Sequence, residues 1–181
     1  MYMKTTLLPV LIIISITMVK AQEIKNTSYI TSTGEKVLRF EFVAPLSKTE
    51  TWQYFSNDEK LKLWIAPLAH IELKTGGYLV TNYDKNKSLN DKSAIRIKII
   101  NYIEYELLAL KVNLNSNFTK KARAEDKNLQ EIIQFTQIDN THTKVVSSMV
   151  GWGTGPDWDK TYNFFVKGND WTYLELMKLF R

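Results

Sequence analysis

The C-terminal part of the chain opens with a glycine-rich segment that runs directly into an aromatic one: Gly151-Trp152-Gly153-Thr154-Gly155-Pro156-Asp157-Trp158. Pro156 suits the first turn of a helix, where its missing N–H leaves no hydrogen bond unmade. Asp157 and Asp159 then complement the positive end of the helix dipole. We therefore predict that a helix begins at Pro156.

This predicted helix is long and carries apolar side chains along one face. At a period of 3.6 residues, one stripe contains Trp158, Tyr162, Phe165, Tyr173, Leu176 and Phe180. A helix of about 24 residues is about 36 Å long at 1.5 Å per residue. Because an aromatic stripe of that length needs a broad apolar surface, we predict that the rest of the chain forms a sheet against it.

Upstream of this helix, the pattern of apolar residues predicts strands and two short helices. Residues 36–44 alternate with a period of two and end at Pro45. A helix follows from Ser47, with Glu50 completing a capping box, and Asn57 or Asp58 caps a second one. About six strands then form a meander, at 70–74, 78–83, 93–102, 105–113, 129–138 and 143–150. This order predicts an α+β fold, an antiparallel sheet with helices on one side. Residues 115–128 are predicted to form a long polar loop.

The first residues are typical of a secretory signal peptide. Lys4 precedes a largely apolar run of about thirteen residues at 7–19, too short to span a bilayer of about 30 Å, and small residues precede a cut after Ala21. We therefore expect a signal peptide at 1–21, a mobile lead-in at 22–35 and one domain at 36–181. A short edge strand is the alternative for the polar lead-in. The protein would then be extracytoplasmic, periplasmic or secreted, with no stable membrane anchor once the leader is removed. An uncleaved anchor is the alternative.

The composition argues against several classes of protein. The chain has no cysteine, which excludes a disulfide framework and a lipoprotein attachment site. Without Lys4 and Lys20 it carries 22 basic and 19 acidic residues, a weak excess that gives no case for nucleic acid. Neither histidine stands at a metal-ligand spacing. We predict no metal, no cofactor and no catalytic residue, and only His70, Glu72 and Glu106 are plausible titrating groups for an enzyme.

The aromatic residues are the more informative set. Most aromatic stripes form a core, but they also line ligand pockets that carry a few polar groups. The candidate ligand-binding residues are Trp52, Trp64, Tyr78, Tyr83, Asn113, Trp152, Trp158, Tyr162 and Asn169, with Thr172 as a further polar candidate. Asn169 lies on the apolar stripe of the long helix. It could mark a helix break at Gly168, bond to a strand side chain in a filled core, or face a cavity.

Several segments together resemble one superfamily. Their order and spacing from Phe40 to Leu176 carry the resemblance: Phe42-Val43-Ala44-Pro45, Trp52, Leu63-Trp64 with Pro67, Gly76-Gly77-Tyr78, Thr81-Asn82-Tyr83-Asp84, the Phe135 to Val145 hairpin, Gly151 to Trp158, and Phe164-Phe165 with Lys167-Gly168-Asn169. The chain is similar to the SRPBCC superfamily, also called START-like or Bet v-like. Within it, the chain looks most like the branch homologous to the activator of the heat shock protein ninety ATPase (AHSA-like).

This resemblance implies a helix-grip fold, in which a curved antiparallel sheet wraps around the C-terminal helix and leaves a cavity for an apolar ligand. It implies no single activity, because members include ligand binders, aromatases or cyclases, and co-chaperone modules. The segment from Asn115 to Phe118 lacks the prolines of that branch, so we expect a different cavity mouth. The leader also directs the chain away from a cytoplasmic chaperone ATPase.

Our hypothesis from the sequence is an exported SRPBCC-like protein that binds a small hydrophobic molecule without turning it over. The alternatives are an enzyme of the cyclase or hydrolase type that uses the same cavity, and a co-chaperone-like protein-interaction module. An enzyme would need a titrating group with a perturbed pKa in the pocket. No protein partner follows from the sequence.

If the leader is cleaved as its pattern indicates, the mature protein begins at Gln22. N-terminal sequencing of the exported protein checks this expectation. Recovery of a soluble extracytoplasmic species that still begins at Met1 or Met3 would contradict it.

Overall fold

The structure is a computed structural model that describes residues 23–181, so the predicted signal peptide lies outside the described residues. This part of the chain contains nine strands: β1 (Lys25–Asn26), β2 (Tyr29–Ile30), β3 (Lys36–Ala44), β4 (Leu68–Ile71), β5 (Tyr78–Asn82), β6 (Ile95–Ile103), β7 (Leu107–Lys111), β8 (Gln130–Gln137) and β9 (Thr143–Val150). Its helices are α1 (Lys48–Ser56), α2 (Asp58–Leu61), α3 (Lys120–Glu125) and α4 (Pro156–Lys178), with a 3₁₀ turn at Asp126–Asn128.

The strands form one antiparallel sheet in the order β1-β3-β9-β8-β7-β6-β5-β4, and β2 also pairs with β3. The predicted α+β, helix-grip fold is therefore confirmed, with α4 packed against the curved sheet. Ahead of β3, the short strands β1 and β2 pair with it as edge strands. Among residues 23–181, no helix combines the length and the apolar composition that crossing a membrane requires.

Local sequence signals account for the short helices. The Ser47 side chain accepts from the Glu50 N–H while the Glu50 carboxylate accepts from the Ser47 N–H, which is the predicted capping box. The Asn57 side chain caps α2 by accepting from two backbone N–H groups. The second helix ends at Leu61, and the chain then turns toward β4.

Two features between the strands differ from the sequence prediction. β4 begins and ends earlier than the predicted 70–74, because the turn before β5 already closes at Lys74, whose carbonyl accepts from the Gly77 N–H at 2.9 Å. The predicted loop at 115–128 contains α3, which the Thr119 side chain caps at the Ala122 N–H. Ala122 is the buried residue of α3 and is fully buried. A single small apolar residue in a polar and basic segment gives no helical pattern from which α3 could be predicted.

The start of α4 is fixed by contacts between the glycine-rich segment and Trp158. A Cβ added at Gly153 would lie 2.0 Å from Nε1 of Trp158, so only glycine lets the backbone cross the indole. The same Nε1 donates to Oε2 of Glu125 at 2.8 Å, which ties α4 to α3. Gly155, the N-cap, has a φ of 94°, a conformation that suits glycine. Trp158 is therefore enclosed on several sides.

We expect Trp158→Ala to lower the free energy of unfolding by about 3–5 kcal/mol, because it removes a large side chain that is 1% exposed. Chemical denaturation monitored by circular dichroism measures the change. Trp171→Ala on the same helix is the matched control, since Trp171 is 54% exposed. If the two variants unfolded at similar denaturant concentrations, the assignment of Trp158 to the buried face of α4 would be wrong.

Candidate functional site

A cavity of about 470 Å³ lies between the sheet and α4. Its volume falls within the range of about 300–1,000 Å³ that is typical of small-molecule sites. The walls are mainly aliphatic and aromatic, contributed by β5 to β8, by the segment after β7 and by α4: Leu79, Ile95, Ile97, Leu108, Leu110, Val112, Ile133 and Phe165. The site is therefore an apolar chamber within the grip of sheet and helix.

The helix leaves this space because it contacts the sheet mainly at its two ends. Near its C-terminal end, Tyr173 packs on Phe40 and Phe42 of β3, with ring centroids 6.3 Å and 5.3 Å apart. Its buried residues are Trp158 and Thr161 at one end and Tyr173, Leu176 and Met177 at the other. The middle of α4 spans the cavity instead of filling it.

The cavity has an open end and a closed end. Tyr83, Phe164 and Trp171 line it and are each more than half exposed, so they mark the mouth. Three exposed asparagines stand among the lining residues of the same region: Asn113, Asn115 and Asn117. The lining residues Phe55, Leu61, Trp64 and Tyr173 are buried and mark the floor.

The floor contains a hydrogen-bonded carboxyl group, that of Glu131. Its Oε1 accepts from the Ser147 hydroxyl at 2.6 Å and from the Tyr173 hydroxyl at 2.8 Å. Its Oε2 has no hydrogen-bond partner among residues 23–181. Every fully buried side-chain oxygen in that range has a hydrogen-bond partner, so Oε2, which has none, is not fully buried. Glu131 is a lining residue of the cavity. One oxygen is thus fixed by the protein and the other is open to the cavity.

The environment of this carboxyl changes its acidity. Burial raises the pKa of Glu131 above its ordinary value of 4.5, and the hydroxyl donors Ser147 and Tyr173 offset only part of that effect. Burial, and then the charge of the neighbouring Glu131, raise the pKa of the Tyr173 hydroxyl well above its ordinary value of 10.0. Tyr173 therefore keeps its proton and acts as a hydrogen-bond donor.

Sequence reasoning missed Glu131, although the strand pattern contains the signal. Glu131 lies in phase with the buried residues Leu129, Ile133 and Phe135, so it points to the inner face of the sheet. Ser147 occupies the equivalent phase on β9, and the two strands pair with Ile133 opposite Ser147. A carboxylate in phase with three core residues predicts a buried acid.

The three titrating groups predicted from the sequence lie outside the cavity, and the prediction that they alone are plausible is wrong. The exposed His70 ring is 2.7 Å from a carboxylate oxygen of Asp58, at the surface. Glu72 pairs with its neighbour Lys74, and Glu106 lies 3.9 Å from the Lys48 ammonium nitrogen. None of the three is among the lining residues.

The structure brings four of the nine predicted ligand-binding residues together at the cavity: Trp64, Tyr83, Asn113 and Asn169. Thr172 lies there as well. The other five lie outside its lining: Trp52, Tyr78, Trp152, Trp158 and Tyr162. As ligand contacts, all nine stay predictions.

Packing explains why those five lie elsewhere. Trp52 packs against Phe135, with ring centroids 5.2 Å apart. Trp152 contacts Trp158 and Tyr162 in a cluster at the start of α4. Tyr78 lies an odd number of residues from Tyr83, so the two point to opposite faces of the sheet.

Asn169 faces the cavity from α4 and makes one weak hydrogen bond. Its Nδ2 lies 3.2 Å from the sulfur of Met149, which is a weak acceptor. The helix runs unbroken from Pro156 to Lys178, so the predicted alternative of a break at Gly168 is wrong. Two alternatives remained, a bond to a strand side chain and a position facing a cavity. The structure shows both, because Asn169 contacts Met149 on β9 and also lines the cavity.

Within residues 23–181, the structure brings together no three His, Asp or Glu side chains that could hold a metal ion. The polar groups that line the cavity are the Glu131 carboxyl, the hydroxyls of Thr81, Tyr83, Thr172 and Tyr173, and the amides of Asn113, Asn115, Asn117 and Asn169.

The fold is similar to that of several solved structures. The Aha1 dimer from Colwellia psychrerythraea aligns with a TM-score of 0.57 and 14% identity, over 80% of this chain and 92% of that one. CalU16 from Micromonospora echinospora aligns with a TM-score of 0.60 and 10% identity, over 90% and 85%. PFC0360w, an HSP90 activator from Plasmodium falciparum, aligns with a TM-score of 0.56 and 10% identity, over 80% and 97%.

At these identities the likeness establishes the fold, and this fold is the one that the resemblance to the AHSA-like branch of the SRPBCC superfamily predicts. No protein-family model matches the chain. No curated protein matches it.

The raised pKa of Glu131 makes stability depend on pH. A carboxyl whose pKa is higher in the folded state stabilises the fold below its ordinary pKa of 4.5, and this contribution is lost as the pH rises through the folded-state pKa. We therefore expect the wild type to lose stability relative to Glu131→Gln as the pH rises through that window. Urea denaturation of both proteins across pH measures the difference.

Glu72→Gln is the control for this experiment, because the Glu72 side chain is exposed. A constant difference between wild type and Glu131→Gln at all pH values would contradict the burial of the carboxyl.

Proposed function

We propose that the protein is an exported binding protein that holds a small hydrophobic molecule in the cavity between the sheet and α4, without chemically changing it. The observation that carries this proposal is the cavity of about 470 Å³ with aliphatic and aromatic walls. Apolar surface facing such a space is stabilised when an apolar ligand fills it, by about 25 cal/mol for each Å² removed from water.

The mouth and the floor support the same function. Exposed aromatic rings at the mouth, Phe164 and Trp171, provide apolar surface where a ligand enters. Phe118 packs between α4 and the mouth, with its ring stacked on Phe165 at 5.7 Å between centroids. A ligand bound below these rings would be enclosed on most sides. Export rests on the apolar run at 7–19 and its cleavage pattern.

Catalysis in the same cavity is a second candidate, which Glu131 favours because a buried carboxyl is a usual general acid. The arrangement supports binding more strongly, since Tyr173 keeps its proton and the lining residues of the described chain include no second Asp, Glu, Lys, Arg or His. Native mass spectrometry of protein purified from its own host distinguishes the two. A retained molecule that is released unchanged supports binding, whereas conversion of added ligand to a new mass would show turnover.

A co-chaperone-like role is the remaining candidate. It is supported by the likeness to PFC0360w, which is described as an HSP90 activator. Export would separate this chain from a cytoplasmic chaperone, and the exposed rings considered above border the cavity. We therefore place ligand binding first.

The function is tested by filling the cavity. We expect Ile97→Trp to weaken uptake of a neutral solvatochromic dye by about tenfold or more, because the larger ring occupies space that the dye needs. Ile97 is half-buried and lines the cavity from β6. Fluorescence titration measures the affinity.

Ile100→Trp is the matched control, since Ile100 is exposed on the same strand and is not a lining residue. Equal dye affinity in both variants, or no dye uptake by the wild type, would contradict binding in this cavity.

A further inference from the structure

The cavity contains one formally charged residue, and it is an acid. Among its lining residues in the described part of the chain, Glu131 is the only Asp, Glu, Lys, Arg or His. A ligand carboxylate or phosphate would meet no cation inside the cavity, and it would approach a group that becomes negative when it ionises. An unpaired charge in an apolar site costs free energy, so an anionic head group is disfavoured.

The hydrogen bonds of Glu131 prepare it to carry a negative charge when a cation arrives. Two hydroxyls, those of Ser147 and Tyr173, both donate to Oε1 and fix the plane of the carboxyl. Such bonds become shorter and about twice as strong when the acceptor is ionised. Oε2 is left open to the cavity, where a ligand can bond to it.

Aromatic rings stand at the same end of the cavity. Trp64 and Tyr173 both line it, with ring centroids 6.0 Å apart and an angle of 26° between their planes. The Tyr173 hydroxyl is itself bonded to Glu131, so its ring lies close to the carboxyl. Aromatic faces attract ammonium groups through their quadrupoles, most strongly where water is excluded. A carbonyl or hydroxyl head group would gain no such contribution.

We propose that the ligand is an apolar molecule bearing a basic nitrogen, which enters nitrogen first and binds as an ammonium ion to Oε2 of Glu131. This inference rests on the proposed function of the cavity and names the chemical class of its ligand. Ser147 and Tyr173 are positioning residues, since they act through Glu131. The aliphatic part of the ligand then lies along Leu110 and Val112, which lead along the chain to Asn113 at the mouth.

The proton balance of binding follows from the surroundings of Glu131. β9 presents Ser147 to it, β7 pairs Leu110 with it, and α4 presents Tyr173. Within residues 23–181, the only other titratable group on these neighbours is therefore a tyrosine that keeps its proton. In the empty cavity, burial raises the pKa of Glu131, so its carboxyl keeps a proton to a higher pH than an exposed glutamate does. When an ammonium ion binds, that proton leaves to water and an ion pair remains. Amine affinity therefore falls as the pH is lowered through this pKa.

The test compares decylamine, decanol and decanoate, three molecules with the same chain and different head groups, below their micellar concentrations. Each displaces a neutral solvatochromic dye from the wild type, from Glu131→Gln and from the control Glu72→Gln. We expect the wild type to prefer decylamine over decanoate by about tenfold or more, as for a close charge pair in an apolar site. In Glu131→Gln this preference disappears, and decanol, which carries no charge, loses less affinity than decylamine does.

Each outcome bears on one hypothesis. Equal affinity for decylamine and decanoate in the wild type, or full retention of decylamine affinity in Glu131→Gln, overturns the inference and leaves ligand binding intact. Failure of all three molecules and the dye to bind overturns the proposed function itself. A second variant, Tyr173→Phe, keeps the ring and removes one donor to Oε1, so decylamine affinity falls and decanol affinity does not.

The pH dependence separates ion pairing from a structural role. Decylamine affinity in the wild type decreases toward acid, and in Glu131→Gln it does not change over the same range. A parallel decrease in both proteins would overturn the assignment to Glu131.

Discussion

The side chain of Tyr173 connects the three parts on which the site depends. Its ring packs on Phe42 of β3 and stacks on Trp64, which anchors the long helix to both the sheet and the segment after α2. Its hydroxyl donates to Glu131 on β8. One residue therefore holds the helix in place and fixes the only charged group of the cavity wall within the described chain. Burial of the Tyr173 ring stabilises the packing of the helix on the sheet, and the hydrogen bond of its hydroxyl orients the Glu131 carboxyl.

The cavity follows from how α4 is supported. Trp158 secures its first turn, where Gly153 allows the backbone to pass across the indole, and Leu176 and Met177 are buried at its last turns. Between these ends Phe165, Asn169 and Thr172 are only half-buried, and all three line the cavity. A helix held at both ends can span an opening without collapsing into it. The sheet provides the opposite wall, through lining residues of β5 to β8.

Most of the fold could be predicted from the sequence, because strong local patterns specify it. The bounds of β3 and β9 match the predicted 36–44 and 143–150, and β3 shows the period of two from which it was predicted. The start of α4 at Pro156 follows from capping chemistry. α3 was missed because its only buried residue is Ala122, which leaves no apolar periodicity to detect.

The site was harder to predict because a pocket depends on which side chains share a face across several strands. Residue type alone grouped Tyr78 with Tyr83, although they point to opposite sides of the sheet. Trp52 and Trp158 have the composition of pocket residues, but their neighbours enclose them completely, and this depends on tertiary packing. For Glu131 the residue type was misleading, because glutamate usually lies at the surface. Its place in the strand, in phase with buried residues on either side, was the informative signal.

The support of α4 at its two ends also separates two kinds of evolutionary constraint. Substitutions at Trp158 or Leu176 alter the anchorage of the helix, so they are tested by selection on folding. Substitutions between Phe164 and Thr172 alter the shape and polarity of the cavity while the anchors stay in place. Sequence drift in that central stretch can therefore change the lining of the cavity without passing through unfolded ancestors. In a fold of this kind, the residues that line the cavity can change while the residues that anchor the helix stay the same.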